Sequence, residues 1–297
     1  MMLRGAWIVW RNNSFSFSFR CFVPKHPERD TESQSVKTIY LNFEVVKGWK
    51  MLSKAKIKFV KSLQIKKYRK QEQCFLVEGA KSVRELLASD FEVTLLLGTE
   101  EFLSSHRPTG RMEVIEVKPS ELEGLGEFQT NDAALAVARQ KPNQPFPLAA
   151  NEFALVLDDL RDPGNLGTII RTADWYGIAK IIASEETADV YGPKVISATM
   201  GSFTRVSVFY TDLATYLKDT PHRVFGTYLD GKDVHTVDFG AGGLIVIGNE
   251  SKGIAPPLEP FITDKITIPR YGLAESLNAG IATAVVCDNV RRPRVNR

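Results

Sequence analysis

At 297 residues and 43% hydrophobic composition, the chain is long enough to bury one large core or two modest ones. No apolar run approaches the roughly 20 residues that span a bilayer. Cys21, Cys74 and Cys287 are too scattered for a disulfide framework or a zinc motif, and His26, His106, His222 and His235 lack metal-pair spacing. A metal-free protein of a reducing compartment, with no membrane span, is therefore expected. The net charge of +3 conceals a strong local asymmetry.

Residues 1–50 differ from the rest, with Ser and Phe alternating over 14–19 and no acidic residue before Glu28. Two readings compete. An Arg- and Ser-rich, acid-free beginning suits an organellar transit peptide, but the segment has no clear amphipathic helical repeat. The reading adopted is an unstructured or non-native extension set by the choice of start codon, because Met51-Leu52-Ser53-Lys54 opens a coherent domain. Deleting 1–50 should then leave folding and activity intact. A cytoplasmic location is expected, with organellar import through residues 1–27 as the alternative.

Between 54 and 70 stand Lys54, Lys56, Lys58, Lys61, Lys66, Lys67, Arg69 and Lys70, with no acid among them. Interleaved Phe59, Leu63, Ile65 and Tyr68 make this read as one basic, partly amphipathic helix. A solvated face is one possibility, but uncompensated like charges repel and phosphate contacts relieve them, so these residues are candidate RNA contacts. There follow a strand at 74–79, a helix at 80–89, and strands at 93–97, 114–117 and 133–138. The three prolines of 142–147 mark a linker. The domains are then 51–139 and 153–297, joined by 140–152.

Beyond the linker, buried strands at 153–157, 180–183, 205–210, 224–228, 244–247 and 265–268 alternate with helical segments. A parallel sheet covered on both faces accounts for that order. The segment 277–291 reads as a C-terminal helix packing through Leu277, Ile281, Ala284, Val285 and Asp288.

Three polar segments punctuate this half: Asp162-Pro163-Gly164-Asn165-Leu166-Gly167-Thr168-Ile169-Ile170-Arg171, Ile247-Gly248-Asn249-Glu250-Ser251-Lys252-Gly253, and Ile268-Pro269-Arg270-Tyr271-Gly272-Leu273-Ala274-Glu275-Ser276-Leu277-Asn278. Each has ordinary readings. Pro163-Gly164 suits a tight turn, Asn165 an N-cap, Arg171 a helix-surface pair with Asp174, Glu250 an exposed turn, and Ser276 a cap before a core Leu277. Each has chemical readings too, since Arg grips phosphate through paired donors and Gly248 permits close backbone approach at a strand's carboxyl end.

In this order the segments resemble the three motifs of the SpoU (TrmH-type) branch of the SPOUT RNA methyltransferases, which carry a methyl group from S-adenosylmethionine to a ribose 2′-hydroxyl. The resemblance covers 153–292, and more loosely 51–138, where Phe75-Leu76-Val77-Glu78-Gly79 is similar to the opening strand of an L30e-like substrate-binding domain. It implies an α/β protein with a C-terminal parallel-sheet SPOUT (α/β trefoil-knot) catalytic domain and a smaller N-terminal α/β L30e-like domain. It implies that Asn165 positions the ribose, that Arg171 binds phosphate and assists loss of the 2′-proton, that Glu250 orients the arginine and its loop, and that Ser276 and Asn278 lie near the transferred methyl. A guanidinium with a pKa above about 12 is a poor general base, so Arg171 is expected to fix phosphate and stabilise the alkoxide while the proton leaves through water. Cofactor contacts, largely from backbone, are implied at Thr227, Leu229, Ile247, Gly248, Asn249, Ile268, Pro269, Ser276, Leu277 and Asn278. A homodimer formed through the catalytic domain and a structured RNA substrate, ribosomal before transfer RNA, complete the expectation.

Two rivals remain. The sheet pattern would suit a nucleotide- or dinucleotide-binding enzyme, and Gly226 to Asp233 approaches a Gly-x4-Gly-Lys phosphate loop, yet Asp233 stands where Ser or Thr should hold magnesium and no GxGxxG occurs, which makes this rival weak. A non-catalytic RNA-binding module would keep the basic segment without using Arg171, Glu250 or Asn278.

Overall fold

The computed structural model describes residues 6–11, 14–19, 52–105, 111–127, 131 and 133–292. They belong to two compact units, 1–49 and 50–297. In the first, β1 (Ala6–Arg11) and β2 (Ser14–Phe19) pair antiparallel. Cys21, His26 and His106 lie outside the described residues.

The second unit opens with the basic segment, which folds as two helices where one was expected. α1 (Lys54–Ser62) is capped by Ser53, whose hydroxyl accepts from the Lys56 N–H, and α2 is Lys66–Glu72. The break falls at 63–65 because Leu63 is drawn fully into the core and Ile65 is extended, at φ −97° and ψ 125°. Next come β3 (Cys74–Glu78), α3 (Ala80–Leu87), β4 (Val93–Gly98), α4 (Glu100–Ser105), β5 (Glu113–Glu116), α5 (Pro119–Glu123) and β6 (Ala134–Arg139). The sheet order is β3-β6-β4-β5, with β6 antiparallel to both neighbours and β4 parallel to β5. Strand alternation feeds two cores. Leu76, Leu97 and Val137 meet Val60 and Leu63 on one face; Phe75, Val77 and Ala136 meet Val83, Leu86, Ile196 and Phe203 on the other.

Residues 140–149 run without regular structure but are strapped down. The Lys141 N–H donates to the Tyr191 hydroxyl, Asn143 exchanges two hydrogen bonds with the Tyr210 backbone, and Phe146 and Leu148 pack on the second sheet.

That sheet contains β7 (Phe153–Leu157), β8 (Lys180–Ala183), β9 (Ser207–Tyr210), β10 (Val224–Asp233), β11 (Gly243–Ile247) and β12 (Asp264–Thr267), in the order β12-β10-β11-β7-β8-β9 with every pairing parallel. Its helices are α6 (Pro163–Trp175), α7 (Pro193–Thr199), α8 (Leu213–Lys218) and α9 (Ala279–Arg291). Leu155 and Leu157 pack with α6 and α9 residues on one face, Ala154 and Val156 with α8 residues on the other. Both faces are buried, which is why β7 and β11 are continuous apolar runs.

Gly226 to Asp233 is strand, with an irregular register between Thr227 and Lys232, in keeping with the phosphate-loop rival having been set aside. A sequence expectation is corrected at the C-terminal helix. The stripe expected to bury α9 is largely its outer one: Leu277 and Ile281 are half exposed, whereas Ala279, Gly280, Thr283, Val286 and Cys287 are buried. Small residues win the inner face because α6 lies close against it; a Cβ on Gly280 would stand 3.0 Å from the Thr168 methyl.

Candidate active site

β7 and β11 are central and adjacent, so the loops at their carboxyl ends meet. Beyond β7, Asp162 caps α6 by accepting from the Asn165 N–H at 2.7 Å, and Pro163 occupies the first helical turn, where its missing N–H costs nothing. Pro163-Gly164 is thus helix rather than a separate turn, and Asn165 is not the cap. Its side chain is left for other work. Asn278, in turn, caps α9 with its Oδ1, which accepts from the Gly280 and Ile281 N–H groups at 2.9 and 3.3 Å. Ser276, exposed and without a hydrogen-bond partner among the described residues, is not that cap.

Because its oxygen is engaged, Asn278 must present Nδ2 as a donor. It donates to Asn165 Oδ1 at 2.8 Å, which turns Asn165 Nδ2 toward Glu250 Oε1 at 3.0 Å. One residue from each polar segment therefore joins a single chain, Asn278 to Asn165 to Glu250, across 85 and 113 positions of sequence.

The loop bearing Glu250 is shaped by Asn249. Its Nδ2 donates to the Asp159 carbonyl at 2.7 Å, its Oδ1 accepts from the Ser251 and Lys252 N–H groups, and its backbone exchanges two bonds with Gly253. Asp159 meets it at φ +51°, a left-handed conformation that Asp tolerates better than most residues. A Cβ on Gly248 would overlap the Gly253 carbonyl carbon, so the turn requires glycine there. Asn249, expected at the cofactor, thus spends its side chain as a loop brace, leaving its backbone. Asp158, buried beside it, accepts from the Ala255 N–H, and burial raises its carboxyl above the ordinary carboxylate range.

Of the other expected cofactor residues, Thr227 and Leu229 lie within β10 where its register on β12 becomes irregular, Ile247 ends β11, and Ile268 and Pro269 follow β12. Thr227 donates its hydroxyl to the Val246 carbonyl, Leu229 is 83% exposed, Ile247 is buried with its carbonyl accepting from the Asp158 N–H, and Ile268 and Pro269 follow β12 half-buried. Leu277 is half exposed. Glycine backbone at Gly248 and exposed aliphatic surface at Leu229 and Leu277 suit the flat, largely apolar faces of an adenosine group.

Arg171 is not brought into hydrogen-bond contact with this chain. It is exposed on α6, with no hydrogen bond or ion pair among the described residues, and the Asp174 carboxylate it could have paired with is held by Arg205. It lies one turn beyond Thr168, whose methyl faces Gly280 at the head of α9.

Of the basic residues, Lys54, Lys58, Lys61, Lys66, Lys67 and Lys70 are exposed and unpaired among the described residues. Lys56 pairs with Glu113 at 2.8 Å. Arg69 is a correction: it is 4% exposed, donates through Nε and Nη2 to Asp189 at 3.2 and 2.8 Å, and donates through Nη1 to the Leu63 and Gln64 carbonyls. With its donors spent, it is a structural residue and not an RNA contact. Reading the sequence also missed Asp162, Asp159 and Asp189; only Asp162 carried a signal, as Asp before Pro at a helix start. Among the described residues no group of three or more His, Cys, Asp and Glu could hold a metal ion, and no helix is long and apolar enough to cross a membrane.

Residues 152–288 match the SpoU rRNA Methylase family and residues 54–136 match the MRM3-like substrate binding domain. The chain is 31% identical over 241 residues to the 23S rRNA (guanosine(2553)-2′-O)-methyltransferase RlmP of Bacillus subtilis, across 80% of this chain and 96% of that relative. A TrmH-family chain of Porphyromonas gingivalis is 37% identical with a TM-score of 0.74, covering 82% of this chain and 99% of that one. An AdoMet-bound rRNA methyltransferase of Sinorhizobium meliloti is 29% identical with a TM-score of 0.73, covering 81% and 95%. The fold is that of the SPOUT methyltransferases, a parallel-sheet α/β domain with a smaller N-terminal α/β domain. The chain belongs to their SpoU (TrmH-type) family of RNA 2′-O-methyltransferases.

Proposed function

We propose that this chain transfers a methyl group from S-adenosylmethionine to a ribose 2′-hydroxyl of structured ribosomal RNA, and that it does so as a homodimer. The observation that carries the reading is the hydrogen-bond chain from Asn278 through Asn165 to Glu250, which gathers all three polar segments at the carboxyl edge of the sheet. The Bacillus subtilis relative acts on a 23S rRNA ribose and the Sinorhizobium meliloti one binds the same cofactor, which supports both substrate class and cofactor.

Bound S-adenosylmethionine supplies an electrophilic methyl group. Thr227, Leu229, Ile247, Gly248, Asn249, Ile268, Pro269 and Leu277 would hold it, mostly by backbone, with Ser276 and Asn278 toward the methyl. The protein's remaining contribution is positioning. Glu250 and Asn278 fix the Asn165 amide, which orients the ribose. Arg171 grips an adjacent phosphate and stabilises the alkoxide, and the 2′-proton leaves to water because a guanidinium, which stays protonated in proteins, is a poor base. The six free lysines of α1 and α2 bind RNA phosphates at a distance from the reacting sugar.

The dimer rests on a different observation. Leu277 and Ile281 lie half exposed one turn apart at the head of α9, Val285 follows one turn further on, and Tyr271 and Leu273 before them are 93% and 99% exposed. An exposed apolar face of this kind suits a second copy of the chain. Ile281→Asp should give a monomer by light scattering, and a parent chain that is itself monomeric at working concentration sinks this part. For the activity, purified protein, labelled cofactor and rRNA should yield 2′-O-methylated nucleotides on mapping; well-folded protein that neither binds S-adenosylmethionine nor transfers its methyl would overturn the proposal.

A further inference from the structure

The domain of α1 to β6 is tied at several points to α6 and to the segments flanking α7. Arg205 donates through Nε and Nη2 to the Asp174 carboxylate on α6, at 2.8 to 3.1 Å, and through Nη1 to Glu85 on α3. Beside it Gly201 stands at φ +99°, and a Cβ there would come within 2.6 Å of Glu85 Cγ, so the backbone closes on the Glu85 stem only as glycine. Arg69 on α2 makes a second tie, to Asp189 in the segment before α7. Between the two ties Phe75 and Phe91 pack against Tyr191 and Phe203, with ring centroids 4.6 to 5.9 Å apart. α7 itself is pressed to α6 at Gly167, where a Cβ would fall 2.5 Å from that of Ala198.

Asp174 lies one helical turn beyond Arg171. Resting on the function proposed above, we infer that Arg205 is a positioning residue for methyl transfer: by bridging Glu85 to Asp174 it holds the lysine-bearing half of the molecule at one setting against the helix that carries Arg171. An RNA seated on α1 and α2 then meets the reacting site at a fixed reach. The guanidinium suits this task because its planar fork holds the Asp174 carboxylate at two points while a third nitrogen reaches Glu85, a geometry that the single nitrogen of an ammonium does not offer. A misplacement of about 1 Å at a reacting centre costs on the order of a hundredfold in rate, so a bridge some distance from the chemistry governs turnover without touching substrate.

The test uses full-length Glu85→Gln, Asp174→Asn and the double variant. Each single variant is expected to lower the single-turnover rate at saturating RNA and cofactor by roughly tenfold or more, with cofactor affinity and RNA affinity unchanged. The double variant should be no slower than the worse single one, because one broken link already opens the bridge. Amide hydrogen exchange over 163–175 should quicken in all three. Parent rates with parent exchange overturn the inference, as does a rate loss that merely follows lost folding or lost cofactor binding. A parent chain that transfers no methyl to rRNA overturns the functional reading instead, and the exchange measurement then decides the bridge by itself.

Discussion

Arg69 on the short helix α2 and Arg171 on the longer α6 both carry a guanidinium on a helix, yet the fold uses them in opposite ways. Around Arg69 every donor nitrogen is spent, on Asp189 and on the two carbonyls of the α1–α2 break, and the side chain is buried. Around Arg171 nothing within the described residues takes the charge, because Asp174 has been claimed by Arg205. An arginine can grip a substrate only through donors that the fold leaves free. A basic run in a sequence therefore contains residues of both kinds, and burial separates them.

The largest expected effect breaks the buried side of this comparison. Arg69→Ala leaves Asp189 Oδ2 and two carbonyls without their donor, while Asp189 Oδ1 keeps the Tyr191 N–H, and removing one partner of a buried pair costs about 3–5 kcal/mol, to be read from urea denaturation. Arg69→Lys should also destabilise, since one ammonium cannot reach three separate acceptors. A loss within experimental error would return Arg69 to the surface lysines.

On the open side, Arg171→Ala should leave the denaturation midpoint unchanged and lower single-turnover methyl transfer by roughly 10²–10³-fold, the scale of losing one transition-state donor. Arg171→Lys keeps charge without the fork and should retain the larger remnant. Parent-rate transfer by Arg171→Ala would reduce it to an ordinary helix-surface residue.

The lysines sharpen the comparison at smaller scale. Replacing Lys54, Lys58, Lys61 and Lys66 with Gln should weaken RNA binding and flatten its salt dependence, by about 0.7–0.9 in log–log slope for each phosphate that is no longer neutralised. Lys56→Gln, already paired with Glu113, should change the slope least. An unchanged slope in the fourfold variant would make this a merely solvated face.

The smallest effect concerns Asp158, whose carboxyl is raised chiefly by burial. A carboxyl with a raised folded pKa adds stability below its unfolded pKa, and that contribution is lost as pH rises through the folded value. Asp158→Asn keeps an acceptor for the Ala255 N–H and carries no charge. It should therefore gain stability relative to the parent at pH 7 more than at pH 4; the reverse order would mean that the charged form is the one the fold favours.

Much of this molecule could be read from one dimension because its signals are local. β7 falls on the residues expected of it, since a strand buried on both faces is an unbroken apolar run, and β8 does so through the apolar Ile181, Ile182 and Ala183 that follow Lys180. Asn165, Glu250 and Asn278 were legible as members of three polar segments, each following a strand or opening a helix. Other outcomes depended on neighbours that no local pattern names. The inner face of α9 was decided by the closeness of α6, which admits Gly280, Thr283 and Cys287 and turns Ile281 outward. The fates of Arg69 and Arg205 were decided by carboxylates 120 positions away in each case, Asp189 and Glu85. Periodicity records which residues can share a face, but which face is buried and which charge is neutralised are set by what packs opposite, and that partner exists only once the chain has folded.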